Sequence, residues 1–150
     1  MHAFILAMAL YPEVQKKAQA ELDAVVGTSR LPTFSDRDSL PYISALAKEV
    51  IRWHVVAPIG VPHRSKDDDV YDDYYIPGGS IVMVNQWYAS SGTPHRAALM
   101  ILGIRALSRD ETMYPDPERF DPERFLVNGR LNPEIRDPGT YAFGFGRRYV

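Results

Sequence analysis

A mainly α chain with a small β-sheet and a long ordered coil is the architecture that this sequence predicts. Three observations point to it. Residues 12–26 and 41–54 repeat apolar side chains at helical spacing. Residues 70–86 hold two runs of β-branched and aromatic residues on either side of Pro77-Gly78-Gly79. From Tyr114 onward the chain is dense in proline and glycine, which makes irregular but ordered coil in place of regular elements.

In chain order, the apolar run Ala3–Leu10 is too short to span a bilayer. It also lacks the basic leader and small-residue cleavage site of a signal peptide. It reads as the last turns of a buried helix, apolar all round, which suggests a chain that begins inside a fold. Pro12 stands where a first-turn proline is tolerated. Val14, Ala18, Leu22 and Val25 then form one apolar stripe, and Gly27 supplies the stop. The stretch from Leu31 to Pro41 is turn-rich, with one short helical turn expected over Ser35–Leu40.

The second helix is expected from Pro41 to about His54, with Ile43, Leu46, Ala47, Val50 and His54 on one side. Glu49 and Arg52 fall on the opposite side, three residues apart and therefore neighbours. Alone, such a pair reads as a surface ion pair worth a few tenths of a kcal/mol. Pro58 and Pro62 end the helix and impose an extended segment. The acidic stretch Lys66–Asp73 is most simply a solvated loop, not a metal site. Strands are expected around 70–76 and 80–86, with Pro77-Gly78-Gly79 as the turn between them.

Residues 88–107 fit poorly, beginning like a turn and becoming an apolar segment without a clear partner. In the coil, Phe120, Phe125, Tyr141, Phe143 and Phe145 need something large to pack against. The doubled Pro-Glu-Arg-Phe at 117–120 and 122–125 is too short to signal a repeat architecture.

Composition removes several function classes. The chain has 150 residues, the size of one modest domain. A net charge of −2 argues against nucleic acid or an anionic membrane surface as the main partner. There is no cysteine, so disulfides, Cys-based zinc sites and thiolate chemistry are excluded within these residues.

Taken in order, the chain shows KEVIRWH, VPHRS, DDYYIPGGSIV, YPDPERFDPERF and AFGFGRR. This order and approximate spacing resemble the C-terminal third of the cytochrome P-450 family, most closely its microsomal-type fungal members. The resemblance covers nearly the whole chain except residues 88–107, and it implies a partial cytochrome P-450 fold. The implied activity is that of a haem-thiolate monooxygenase, an oxidoreductase that incorporates molecular oxygen into an apolar small molecule. Haem and its iron are the implied cofactor, and a cytochrome P-450 reductase is the implied electron-donating partner.

The resemblance also assigns residues. Glu49, Arg52 and Arg124 correspond to a buried structural network in which guanidinium forks satisfy a carboxylate and lock coil to helix. Arg119, in the first Pro-Glu-Arg-Phe, is expected at the surface. His63 and Arg148 correspond to contacts with the haem propionates, for which cationic donors suit the carboxylates. Val56, Ala57, Ile59 and Val61 belong to the stretch that lines the substrate pocket above the haem.

Three departures stand against the family pattern. The family signature F-x-x-G-x-R-x-C-x-G is matched by Phe143, Gly146 and Arg148, but its cysteine position falls on Val150, which cannot ligate iron. The acid–threonine pair of the oxygen-activating helix is not found, although residues 2–10 resemble that helix's tail. Residues 88–107 stand as an atypical insert, for which a translated intron is one origin, with Tyr149-Val150 reflecting a similar read-through. No catalytic residue or metal ligand is therefore expected here, and the chain is read as a non-catalytic, truncated fragment or gene-model artefact that does not hold haem. A non-enzymatic, partner-binding remnant is the alternative. Members of this type are held in the endoplasmic reticulum by an N-terminal helix, which this chain does not show.

Overall fold

Proline sets where the first two helices meet. Pro12 has no N–H to donate and its ring clashes with the carbonyl four residues earlier, so a helix arriving from the N-terminal side must stop just before it. Accordingly α1 (His2–Leu10) ends one residue short of α2 (Pro12–Val25), with Tyr11 between them. The structure, a computed structural model, describes residues 1–54, 62–82 and 108–143. They fall into two compact units, one made of residues 1–54 with 108–143 and the other of residues 62–82.

In the first unit, α1 buries Ala7 and Met8, while Phe4, Ile5, Leu6 and Leu10 remain exposed. The expected helix is there, but only one side of it is covered among the described residues. On α2, Val14 and Ala18 are buried and Val25 is exposed, with Val26 taking the inward position at the C-terminal end. A short 3-10 helix, Phe34–Ser39, follows; Thr33 and Asp36 close a reciprocal capping box at its start. Then α3 (Pro41–Trp53) begins, again with proline at its first position. Its free N-terminal amides are met from α2: the Glu21 carboxylate accepts from Tyr42 N at 2.9 Å and from Ile43 N at 2.9 Å.

The buried face of α3 differs from the one expected. Tyr42, Ala45, Leu46, Glu49 and Arg52 are buried, whereas Ala47 and His54 are exposed and Ile43 and Val50 only half-buried. Counting apolar positions selects the greasier side of the helix. The packing instead turns the charged pair inward, because the coil of residues 108–125 supplies polar partners on that side.

That coil is not devoid of regular elements. A 3-10 helix, Pro122–Phe125, is capped by Asp121, whose side chain accepts from Glu123 N at 3.0 Å. Strands at Leu126–Val127 and Arg130–Leu131 pair antiparallel, with Leu126 opposite Leu131. Between them Asn128 and Gly129 both take positive φ, +51° and +73°, as a type I′ turn requires. Asn-Gly is the strongest short hairpin signal, and the composition-based reading as coil passed over it. A final short helix, α4 (Gly139–Ala142), buries Tyr141.

Two clusters form the core of this unit. Ala7, Met8, Val14, Ala18, Tyr42, Leu46 and Phe120 make one. Phe120 is held there by Tyr11, at 5.3 Å between ring centroids, and by Trp53, edge-on at 5.4 Å. Ala45, Tyr114 and Phe125 make the other. Of the coil aromatics, Phe120, Phe125 and Tyr141 are buried, Phe143 is exposed, and Phe145 lies outside the described residues.

The second unit corrects the expected strand pairing. The acidic stretch is not simply a loop: Asp69–Tyr71 forms a strand that pairs antiparallel with Tyr74–Ile76. Asp72 and Asp73 make the turn at φ +47° and +64°, a conformation that aspartate tolerates better than most residues. The second pair joins His63–Arg64 to Ile81–Val82, with His63 opposite Val82. Pro77-Gly78-Gly79 therefore does not close a hairpin between 70–76 and 80–86. Its amides are taken elsewhere, Gly78 N by the Asp68 carboxylate at 2.7 Å and Gly79 N by the Ser65 carbonyl at 3.0 Å. Residues 83–86 of the expected strand lie outside the described residues.

Candidate functional site

A coil rich in proline has a hydrogen-bonding problem. Pro115, Pro117 and Pro122 have no N–H, so the chain cannot pair its carbonyls in a ladder, yet buried carbonyls must find donors. Arginine side chains from the helix and from the coil itself provide them.

Arg52 lies on the last turns of α3 and is wholly buried. Its Nε donates to Glu49 Oε2 at 2.7 Å and its Nη2 to Glu49 Oε1 at 2.7 Å, a bidentate fork one helical turn long. Its Nη1 donates to the carbonyls of Ser108 and Pro117, both at 2.8 Å, and Nη2 to that of Arg119 at 3.3 Å. All five of its N–H donors are thus used. The face of the guanidinium lies 5.5 Å from the centre of the Tyr114 ring.

Glu49, equally buried, is shared more widely than an i,i+3 partner alone would need. Its Oε1 also accepts from Asp121 N at 2.8 Å and from Arg124 Nε at 3.3 Å. Arg124 sends Nη1 to the Pro115 carbonyl at 2.7 Å, and Nη2 to the carbonyls of Asp116 at 3.2 Å and Arg119 at 3.0 Å. Two cations thus share one carboxylate, and the coil carbonyls supply the remaining negative potential. That arrangement lets an unequal charge count survive burial, where a bare ion would be prohibitive.

The structure brings Glu49, Arg52 and Arg124 together, while the Arg119 side chain is exposed and contributes only its carbonyl. His63 is exposed on its strand in the second unit. Arg148, Val56, Ala57, Ile59, Val61 and Val150 lie outside the described residues, as do residues 88–107.

Further contacts went unseen from sequence. Trp53 Nε1 donates to the Glu118 carbonyl at 2.9 Å, and Lys48 pairs with Asp137. The Asp137 carboxyl is pushed up by partial burial, but the Lys48 ammonium and the Gly139 N–H outweigh this and hold it below the usual carboxylate range. Nothing in local spacing signals either contact, since each spans a long stretch of chain.

Chemically, the assembled residues hold a coil against a helix; they do not present a nucleophile or an acid–base pair to solvent. No group of three or more His, Cys, Asp or Glu capable of holding a metal occurs among the described residues. The 150 residues contain no cysteine, so no thiolate donor is available from them. A thiolate-bound haem therefore does not fit this donor set alone, and no chemical step through it follows. No helix among the described residues is long and apolar enough to cross a membrane.

Comparison with known proteins gives this architecture a context. The sequence profile of a family described as Cytochrome P450 matches residues 1–91 and 97–149. The interruption, 92–96, falls inside the stretch 88–107 that fitted poorly in sequence, and the profile resumes before that stretch ends. Cytochrome P450 monooxygenase COX2 of Coprinopsis cinerea is 52% identical over 146 residues, which is 97% of this chain and 24% of that protein. Cytochrome P450 monooxygenase claR of Ampulloclitocybe clavipes is 48% identical over 99% of this chain and 24% of its own length. Cytochrome P450 monooxygenase 176 of Postia placenta is 49% identical over 99% of this chain and 25% of its own length. The chain spans about a quarter of the length of these fungal relatives.

Proposed function

The chain belongs to the cytochrome P450 family, and on that premise we propose that its residues serve as the structural clamp of a haem-thiolate monooxygenase and are not catalytic alone. The observation that carries this reading is the use of every Arg52 donor on Glu49 and on coil carbonyls. A network so fully satisfied holds a fixed backbone path through a segment that cannot make a ladder. Coil held this way can present side chains to a large flat cofactor.

Within that reading, Glu49, Arg52 and Arg124 are the structural network, and His63 and Arg148 donate to haem propionates. Val56, Ala57, Ile59 and Val61 line the pocket for an apolar small molecule, and electrons come from a cytochrome P450 reductase. Residues 1–150 form the C-terminal portion of the family's single domain, with the stretch near 88–107 atypical and Val150 in the place of the cysteine. Without thiolate donation from these residues, O–O cleavage is not supported by a polypeptide of this composition. The test is the absorption spectrum of the purified chain supplied with haem, reduced and treated with carbon monoxide. No thiolate-type Soret band is expected; its appearance would overturn the non-catalytic reading.

One observation favours a second reading, association with a partner. Phe4, Ile5, Leu6 and Leu10 are 44%, 59%, 51% and 58% exposed along one short helix, and exposed apolar side chains grouped on one element are what a docking partner covers. Sedimentation of the chain and of a Phe4→Ser/Leu6→Ser variant separates the cases. Association that the variant abolishes supports this reading, and a monomer in both removes it for a partner that is a second copy of the chain.

A further inference from the structure

A second buried polar array is built on the Tyr114 hydroxyl, and it uses none of the hydrogen bonds of the clamp. Tyr114 and Tyr141 are both fully buried, from the coil and from α4, and their hydroxyl oxygens lie 3.3 Å apart. The Tyr114 hydroxyl also lies 2.7 Å from the Arg136 carbonyl.

The direction of these bonds follows from counting protons. A carbonyl can only accept, so the single hydroxyl proton of Tyr114 goes to Arg136. The contact between the two hydroxyls must then be made by the proton of Tyr141, with Tyr114 as acceptor. The chain of donation runs Tyr141 to Tyr114 to the Arg136 backbone. Burial raises both hydroxyls, and the bond to Tyr114 raises Tyr141 further, as expected of the donor. The Arg136 guanidinium covers the Tyr141 ring, 5.4 Å from its centre, and Arg52 covers the Tyr114 ring.

We propose that Tyr114 is a positioning residue: it ties Arg136–Ala142 to the Glu49–Arg52 clamp through this directed chain of hydrogen bonds. Those residues lead in sequence into Phe143–Val150, where the function proposed above puts a propionate contact, and only this consequence rests on that reading. The ring of Tyr114 stacks on the clamp and its hydroxyl holds the backbone that enters α4. Tyr141 is the dependent member, since its hydroxyl donates to a group already engaged.

The two tyrosines should therefore respond unequally to loss of a single oxygen. Tyr114→Phe leaves the Arg136 carbonyl without its donor and the buried Tyr141 hydroxyl without its acceptor. Tyr141→Phe leaves the bond from Tyr114 to Arg136 in place. Both variants keep the ring, so packing is conserved and only the hydrogen bonds change.

The experiment is amide hydrogen exchange across the full 150-residue chain, with unfolding midpoints for Tyr114→Phe, Tyr141→Phe and the double variant. Exchange at Gly139, Thr140, Tyr141 and Ala142 should quicken roughly tenfold or more in Tyr114→Phe and under about threefold in Tyr141→Phe. Amides in α3 should be unchanged in both. The double variant should unfold at a higher midpoint than Tyr114→Phe, because removing the stranded Tyr141 hydroxyl relieves part of the damage. A role in filling space alone produces no such rescue. Equal effects, strict additivity, or quickening throughout α3 would each overturn the inference. Should Tyr114→Phe not accumulate, Tyr141→Phe still decides: tenfold quickening in α4 from that variant alone refutes the assigned direction. None of these readings needs haem, so their failure is distinct from that of the carbon monoxide test.

Discussion

Arg52 and Glu49 meet through two parallel hydrogen bonds of 2.7 Å, with both side chains wholly excluded from solvent. The same sequence spacing on an exposed helix would contribute a few tenths of a kcal/mol. Here the pair anchors backbone more than fifty residues away, and removing Arg52 strands the buried Ser108 and Pro117 carbonyls and leaves Glu49 with the longer contact to Arg124. Arg52→Ala should destabilise by about 3–5 kcal/mol in urea unfolding. Arg52→Lys should recover little, since three donors on a tetrahedral ammonium cannot meet five planar ones. A lysine variant within about 1 kcal/mol of the parent would show that charge, and not fork geometry, matters.

The two Pro-Glu-Arg-Phe segments should behave oppositely on mutation. Arg124 reaches Glu49 and three coil carbonyls, and its side chain is 7% exposed. Arg119 lends only its carbonyl to the clamp, which any residue can supply. Arg124→Ala should cost about 2–4 kcal/mol, and Arg119→Ala within about 0.5 kcal/mol of nothing. Denaturation midpoints of the two variants, measured side by side, check the contrast.

Glu21 gives α3 the N-terminal cap that its own sequence lacks. Leu40 at the N-cap position has no side-chain acceptor, and the carboxylate from α2 serves two amides in its place. Glu21→Ala should destabilise by about 1 kcal/mol and Glu21→Gln by less, since the amide oxygen still accepts. Equal losses would point to charge as the dominant contribution. Thermal unfolding of both variants distinguishes them.

At the Asn128-Gly129 turn, a Cβ on Gly129 would meet nothing within 4 Å, so any penalty there is conformational. With φ at +73°, Gly129→Ala should cost about 1–2 kcal/mol. Asn128→Gly, at φ +51°, should stay within a few tenths of a kcal/mol. Calorimetry on the two variants tests whether the turn is set by backbone conformation alone.

Stability should fall at both extremes of pH. The folded carboxyls of Asp36 and Asp137 are held below the ordinary value of 3.8, Asp36 mainly by Arg30 and Thr33. A depressed folded value contributes stability above the unfolded pKa that is lost as pH drops through the folded one, so the decline should begin below about pH 4. Tyr42 is pushed up to about 12, by burial first and then by Glu123 and Asp121. That contribution is intact below 10.0 and disappears as pH climbs toward 12. Asp137→Asn should flatten the acid limb and Tyr42→Phe the alkaline one, as read from melting temperature against pH.

Local spacing made much of this chain legible. Pro12 and Pro41 mark helix starts that the structure places at those same residues, because the steric demand of proline is met or violated within one turn. The stripe through Val14 and Ala18 and the adjacency of Glu49 to Arg52 are likewise matters of helical period. Asn128-Gly129 was equally readable, being a turn preference encoded in two residues.

What folding in three dimensions settled was which of these local features face inward and whom they meet. No periodicity could turn Glu49 and Arg52 toward the core, since their acceptors and donors lie 56 to 75 residues further on. Nor could strand propensity choose Asp69–Tyr71 over residues beyond the glycines as partner for Tyr74–Ile76; competing hydrogen bonds to Gly78 and Gly79 did that. Backbone conformation depends on neighbours along the chain, whereas burial and charge pairing depend on neighbours in space. A proline-rich coil, unable to satisfy itself, is where the second dependence governs most completely.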